Sequence, residues 1–256
     1  MGCKFNIISS IFLIISWLLI QTAAFSSIHD SNISSLCTQT PNTNTNFTNN
    51  RDEVLTNLTN NAPHNYGYSI AFSSSSGNYL DSVFGLALCR GDVSKDNCTA
   101  CLSNAKGNIT TDCPHNRRAI IWYNFCYLKF ADYDFYGQID SKNKFCTKSV
   151  DNAHHPQKFY EKAVHLLGGL SNRTGDKEGM FDYGHVSFNI NLKIYAMAQC
   201  SRDISSCDCK KCLEIAIDNL QDFSNSSLTI PLGGGSYTGS CFVRYEVKNF
   251  LYKNDD

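Results

Sequence analysis

Residues 83–108 read VFGLALCRGDVSKDNCTACLSNAKGN, and 111 positions downstream residues 194–219 read IYAMAQCSRDISSCDCKKCLEIAIDN. Cys89, Cys98 and Cys101 of the first stretch fall on Cys200, Cys209 and Cys212 of the second, and the apolar frame follows them: Val83 on Ile194, Ala87 on Ala198, Leu102 on Leu213. Asp92 meets Asp203, and Asn108 meets Asn219. Three cysteines and an apolar frame that match without a gap mark an internal repeat, so the chain carries one kind of domain twice.

Working outward, the first copy spans residues 26–131. A short strand at Ile33–Thr40 carries Cys37, and Val54, Leu55 and Leu58 recur at helical spacing in Thr48–Asn61, which Pro63 closes. Tyr66–Ser73 and Asn78–Arg90 are β-rich stretches around a turn, SSSSG, and Cys98–Asn108 predicts a second helix. RAIIWYNFCYLKF, residues 118–130, reads as one central strand. Ile120, Trp122, Cys126, Leu128 and Phe130 then share one face, and Tyr123, Phe125, Tyr127 and Lys129 the other. Residues 132–144 read as a polar linker. The second copy, 145–253, repeats the order: a helix over Pro156–Leu170, strands at Gly179–Phe188 and Lys193–Gln199, a helix over Asp208–Phe223, a turn PLGGGSYTG, and a last strand Ser240–Tyr252. Strands and helices without βαβ alternation give an α+β class. The expected architecture is two tandem domains, each an antiparallel sheet with two helices packed on one face.

Residues 1–24 put an apolar run behind Lys4 and end in small residues, which reads as a secretory signal peptide. No later apolar run is long enough to span a membrane, so the expected product is a soluble protein released to the apoplast. Its removal takes Cys3 and leaves twelve of the thirteen cysteines, an even number that implies a disulfide framework in an oxidising compartment. Sequons at Asn32, Asn46, Asn57, Asn108, Asn172 and Asn225 are expected glycan acceptors; that at Asn97 abuts Cys98 and is set aside. A formal charge of -1 offers no electrostatic case for nucleic acid or an anionic membrane.

The pairs Cys98/Cys101 and Cys209/Cys212 have the spacing of a redox dithiol or half a zinc site. In a secreted chain with neighbouring cysteines on offer, structural bridges are the better reading. The seven histidines, the doublet His154/His155 included, show no metal-ligand spacing, no G-x-S-x-G appears, and Gly233–Gly235 lacks the lysine of a phosphate loop. The expectation is a protein without catalytic residues, metal or cofactor.

The doubled C-x8-C-x2-C motif, with CYLKF and CFVRYE downstream, resembles the plant salt-stress/antifungal domain of ginkbilobin, of cysteine-rich receptor-like kinase ectodomains and of plasmodesmata-located proteins. A leader followed by two such domains is similar to the cysteine-rich repeat secretory proteins. The resemblance implies bridges Cys89–Cys98, Cys101–Cys126 and Cys37–Cys113 in the first copy, and Cys200–Cys209 and Cys212–Cys241 in the second. The second and third of these would contribute about 3 and about 4 kcal/mol through loop closure. Aligning Pro231 with Pro114 puts Ile230 where the partner of Cys146 should stand, while an extra Cys207 appears, so Cys146 is expected to pair with Cys207. Some ginkbilobin-like domains bind mannose. The corresponding sugar contacts fall on Thr38, Ile120 and Ala131 in the first copy and on Thr147, Gly235 and Glu246 in the second, so only Glu246 keeps the family's residue. The implied function is a non-enzymatic apoplastic binding protein of defence or stress signalling, with another extracellular protein or a receptor ectodomain as partner. The alternatives are a lectin-type antifungal protein taking a cell-wall or fungal glycan, and a thiol-redox protein.

Overall fold

The computed structural model describes residues 30–38, 41, 44–75, 79–220 and 229–252. In the first repeat five strands, β1 (Asn32–Cys37), β2 (Tyr68–Ser73), β3 (Val83–Cys89), β4 (Ala119–Tyr123) and β5 (Cys126–Ala131), form an antiparallel sheet in the order β1-β4-β5-β3-β2. The second repeat lays β6 (Lys144–Lys148), β7 (Phe181–Ser187), β8 (Lys193–Cys200), β9 (Gly234–Thr238) and β10 (Cys241–Glu246) in the equivalent order β6-β9-β10-β8-β7. Helices α1 (Thr45–Asn61) and α2 (Lys95–Asp112) cover one face of the first sheet, and α3 (Pro156–Thr174) and α4 (Ser206–Asn219) one face of the second. This is the expected α+β architecture.

The helices begin where their caps dictate. Ser94 Oγ accepts from Asn97 N at 3.2 Å, and Ser205 Oγ from Asp208 N at 3.1 Å, at equivalent places in the repeated D-x-S segment. Behind those caps α2 buries Cys101, Leu102, Ala105 and Ile109 against Val54, Leu55 and Leu58 of α1 and Ile121 and Leu128 of the sheet. The second core repeats this with Leu213 and Ala216 of α4, Phe159 and Leu167 of α3, and Ala198 and Val243 beneath them.

Two expectations about strands are corrected. Residues 118–130 are a hairpin, β4 and β5 around Asn124–Phe125, rather than one strand. Cross-strand partners share a face, so Ile120 and Trp122 stand with Lys129 and Tyr127, while Tyr123 and Phe125 join Cys126, Leu128 and Phe130 on the helix side. PLGGGSYTG is for the most part a central strand, β9, paired to both β6 and β10. Its glycines mark close packing: a Cβ on Gly235 would lie 2.7 Å from the Tyr237 ring, and one on Gly234 3.2 Å from Tyr245.

The helix-free faces of the two sheets pack on each other. Leu86, Leu88, Ile120, Trp122 and Tyr127 of the first meet Met197, Tyr237 and Phe242 of the second in one buried cluster that also takes Phe135 of the linker. Polar groups in this seam are paired: Trp122 Nε1 donates to Thr238 O at 3.2 Å, Gln199 Nε2 to Cys89 O at 3.0 Å, and Gly91 N to Gln199 Oε1 at 3.2 Å. The segment after each sheet's last strand crosses to the other domain. Gly137 N, eleven residues past Cys126, donates to Asp203 Oδ2 at 3.2 Å; Tyr252 N, eleven past Cys241, donates to Asp92 Oδ2 at 2.9 Å. The residues expected as a polar linker also contribute to the seam, and the last strand, expected to run to Tyr252, stops at Glu246 so that Phe250–Tyr252 can reach the first repeat.

Lys129, buried on the seam face, pairs with Asp140 at 2.7 Å. Burial alone would raise the Asp140 carboxyl, but the Lys129 ammonium and the Asn143 side chain outweigh it and hold it below the usual carboxylate value. Asp132, bonded by Arg117 and Arg118, is lowered for the same reason. A carboxyl depressed in the fold contributes stability that is complete above about pH 4 and is lost as the pH falls through its folded pKa. Denaturant unfolding between about pH 2 and 7 should show that acid limb, and Asp140→Asn should flatten part of it while lowering stability near neutrality. Gln199→Met, which leaves the buried Cys89 carbonyl and the Gly91 amide unpaired, should destabilise the protein by about 1–3 kcal/mol in the same assay; an unchanged midpoint would contradict the seam as described.

Candidate functional site

Among the described residues five disulfides tie helices to sheets. Cys89–Cys98 joins the end of β3 to the first turn of α2, Cys101–Cys126 joins α2 to β5, and Cys37–Cys113 joins β1 to the far end of α2. Cys200–Cys209 and Cys212–Cys241 repeat the first two between β8, α4 and β10. The expected Cys146–Cys207 bridge is not formed. Cys146 Sγ lies 3.9 Å from Asn219 O, at the C-terminal end of α4, whereas Cys207 occupies the first turn of that helix. Twelve residues of helix at 1.5 Å each put those ends about 18 Å apart, far beyond the roughly 7 Å Cα separation a disulfide spans. Cys207 stands exposed near Lys211.

The register brings Thr147, Gly235 and Arg244 side by side on β6, β9 and β10, with Glu246 two residues on. The Glu246 carboxylate is already engaged: Oε1 accepts from Arg244 Nη2 at 3.1 Å and Nε at 3.2 Å, and its other oxygen lies over Gly233, where a Cβ would come within 1.9 Å. Arg244 also donates to Asn124 Oδ1 of the first repeat at 3.3 Å and stacks over Phe250 at 4.6 Å. In the first repeat Ile120 and Ala131 are buried in the seam, and Thr38 Oγ1 donates to Arg118 O at 3.2 Å. Of the expected glycan acceptors, Asn32 is exposed on β1, Asn46 and Asn57 on α1, and Asn172 on α3. Asn108, on α2, donates its side-chain amide to Tyr123 OH at 2.6 Å. Asn225 and residues 1–24 lie outside the described residues.

A cleft of about 620 Å³ opens along the seam, and no residue expected as a ligand contact lines it. One wall is the turn after the short 3-10 helix Ala62–His64, which leads into β2; the other is the Glu178–Met180 turn, which leads into β7. Tyr66 (φ 51°) and Met180 (φ 48°) are the non-glycine residues with left-handed backbone among those described, each beside a left-handed glycine, Gly67 (φ 76°) or Gly179 (φ 73°). Gly91 forms the floor where Phe181 crosses; a Cβ there would lie 2.4 Å from that ring. Arg202 ties the walls together, donating to Tyr66 O at 2.6 Å and to Gly179 O at 3.4 Å, with its guanidinium 5.6 Å from the centre of the Tyr68 ring. Burial lowers the Arg202 pKa, although Tyr68 and Glu178 favour its charge. The other arginine of the cleft, Arg90, is closed off: Asp92 takes two of its donors, and Phe125, Phe250 and Tyr252 surround it. Sequence reading missed the cleft because it is made by the meeting of two repeats. The one local signal was a glycine before each of the edge strands β2 and β7, in NYG and EGM.

Residues 36–133 and 145–248 each match the family described as salt stress response/antifungal. The antimicrobial ginkbilobin-2-like protein of Castanea crenata is 43% identical over 178 residues, 70% of this chain and 72% of that protein. Cysteine-rich repeat secretory protein 38 of Arabidopsis thaliana is 36% identical over 181 residues, 70% of each chain. In architecture the chain is similar to the tandem DUF26 ectodomain of the Arabidopsis thaliana cysteine-rich receptor-like protein PDLP8, with a TM-score of 0.73 at 23% identity, covering 85% of this chain and 98% of that one. No helix among the described residues is long and apolar enough to cross a membrane.

Alkylation of the folded, unreduced protein followed by mass mapping should modify Cys207 and leave the ten bridged cysteines untouched until a reductant is added. Recovery of Cys207 in a disulfide with Cys146 would overturn the assignment.

Proposed function

The chain belongs to the salt stress response/antifungal family, and from that membership we propose that it acts in the plant apoplast as a non-enzymatic recognition protein of defence or stress signalling. It is a secreted, extracellular protein, like the secretory proteins it is related to. The observation that carries the recognition reading is the seam: two stapled domains are held face to face by buried rings and crossed tails, with an open cleft along the join. Rigid, preorganised surfaces lose little freedom on binding, which suits a partner such as another extracellular protein or a receptor ectodomain. On the same reading residues 1–24 are the leader, and the exposed Asn32, Asn46, Asn57 and Asn172 carry glycans; the mass of the product secreted from plant cells checks both. The lectin reading has less to stand on, because Glu246 already spends its carboxylate on Arg244.

The test presents the oxidised protein, lacking residues 1–24, to a panel of purified plant receptor ectodomains and to a glycan array. Saturable binding to a few ectodomains, abolished by reduction and alkylation, is the expected result. Binding to no ectodomain, together with retention on a cell-wall or fungal glycan that Glu246→Ala weakens, would replace the proposal with the lectin.

A further inference from the structure

We propose that the seam cleft is a binding site for a carboxylate carried on an apolar group, with Arg202 as its anchor; this rests on the recognition reading above and names the chemistry the cleft takes. Three observations point there. The first is charge. Arg202 is half-buried, and among the described residues it forms no ion pair; its two hydrogen bonds go to the backbone carbonyls of Tyr66 and Gly179. A guanidinium has five donors in a planar fork that matches a carboxylate, so part of that fork is unused. Lys95 and His64 stand exposed around the same cleft against one acid, Glu178, and Arg90 is occupied by Asp92. The second is shape. A volume of about 620 Å³ lies within the range of small-molecule sites, and Pro63, Val93 and Phe181 give it apolar walls, with the exposed Tyr66 at its rim.

The third observation is strain. Among the described residues five have a left-handed backbone, and four of them, Tyr66, Gly67, Gly179 and Met180, belong to the two turns that face each other across this cleft. A bulky residue held left-handed costs of order 1–3 kcal/mol, and such residues persist where their surroundings fix them for a purpose. Here Arg202 holds both turns through their carbonyls, beside the backbone bonds from Gly67 N to Ala62 O and from Met180 N to Lys177 O within each turn. A carboxylate entering from solvent meets the rest of that guanidinium at the mouth and leaves its apolar substituent between Phe181 and Val93. The ligand class is therefore an apolar organic acid or the C-terminus of a peptide ending in an apolar residue, which share the recognised group.

The protein lacking residues 1–24, isotopically labelled, is titrated with N-acetyl-L-phenylalanine and with its neutral twin, the C-terminal amide, while backbone amide resonances are followed. The acid should shift Tyr66, Gly67, Gly179 and Arg202 and bind at least about tenfold more tightly than the amide. The tetrapeptide Ala-Ala-Ala-Phe as free acid and as amide separates the sources: much tighter binding than the single residue favours a peptide terminus, and equal binding favours a small organic acid. Arg202→Gln should weaken the acid at least about tenfold. Because Arg202 also holds the two turns, the exposed Lys95→Gln, expected to weaken the acid about two- to threefold without altering the melting temperature, keeps the test independent of folding. Equal affinity for acid and amide, no shift at about 10 mM of either acid, or unaltered acid binding in both variants would overturn the inference. Ectodomain binding that survives those results would leave the recognition reading standing and remove the cleft alone.

Discussion

Each sheet in this fold is apolar on both faces and has helices for only one of them. In the first repeat β4 sends Ile121 to the helices and Ile120 and Trp122 the other way, and β5 divides Leu128 and Phe130 from Tyr127 in the same manner. Exposed, that second face would be a continuous aromatic patch of the size that drives association. The tandem removes the problem by giving each sheet the other as its cover. Crossing of the tails follows from it: once the faces meet, the segment leaving one sheet runs over the edge of its neighbour. There the repeated aspartate, Asp92 or Asp203, waits at the start of an α-helix to accept a backbone N–H.

That arrangement separates two kinds of covalent and non-covalent work. The disulfides act within each repeat, pinning α2 and α4 to their own sheets, and no described bridge crosses the seam. The union of the repeats is left to apolar burial, the hydrogen bonds of Gln199 and Trp122, and the Lys129–Asp140 pair. Among the described residues the second repeat shows no counterpart of the Cys37–Cys113 bridge that ties β1 to α2 in the first. At the matching place Cys146, on the edge strand β6, sets its Sγ 3.9 Å from Asn219 O in the last turn of α4.

What could be read from the sequence was local or repeated. The duplicated cysteine spacing gave the domain count and the amphipathic segments gave four helices; the D-x-S caps, which start two of them at Lys95 and Ser206 rather than at Cys98 and Asp208, went unread. The failures share one cause: they concern which strand lies beside which. A two-residue turn at Asn124–Phe125 inverts the facing of everything before it, and an unbroken apolar run conceals such a turn. Gly233–Gly235 looks like a loop until the rings of Tyr237 and Tyr245 are known to lie over it. Pairing Cys146 with Cys207 obeyed the arithmetic of cysteines and ignored the length of the helix between their two positions. The cleft was out of reach for the same reason, since Arg202 meets the carbonyl of Tyr66 only after 136 residues of chain have folded back.

Trp122 allows the central claim, that the sheets meet face to face, to be measured in one step. With residues 1–24 removed it is the one tryptophan in the chain, and it is 2% exposed in the seam, with its indole N–H on Thr238 of the other repeat. The steady-state fluorescence of the folded, oxidised protein should therefore be blue-shifted and resist quenching by acrylamide until the whole molecule unfolds. Emission at the wavelength of a hydrated indole, freely quenched while the disulfides and secondary structure are intact, would mean that the two sheets do not cover one another.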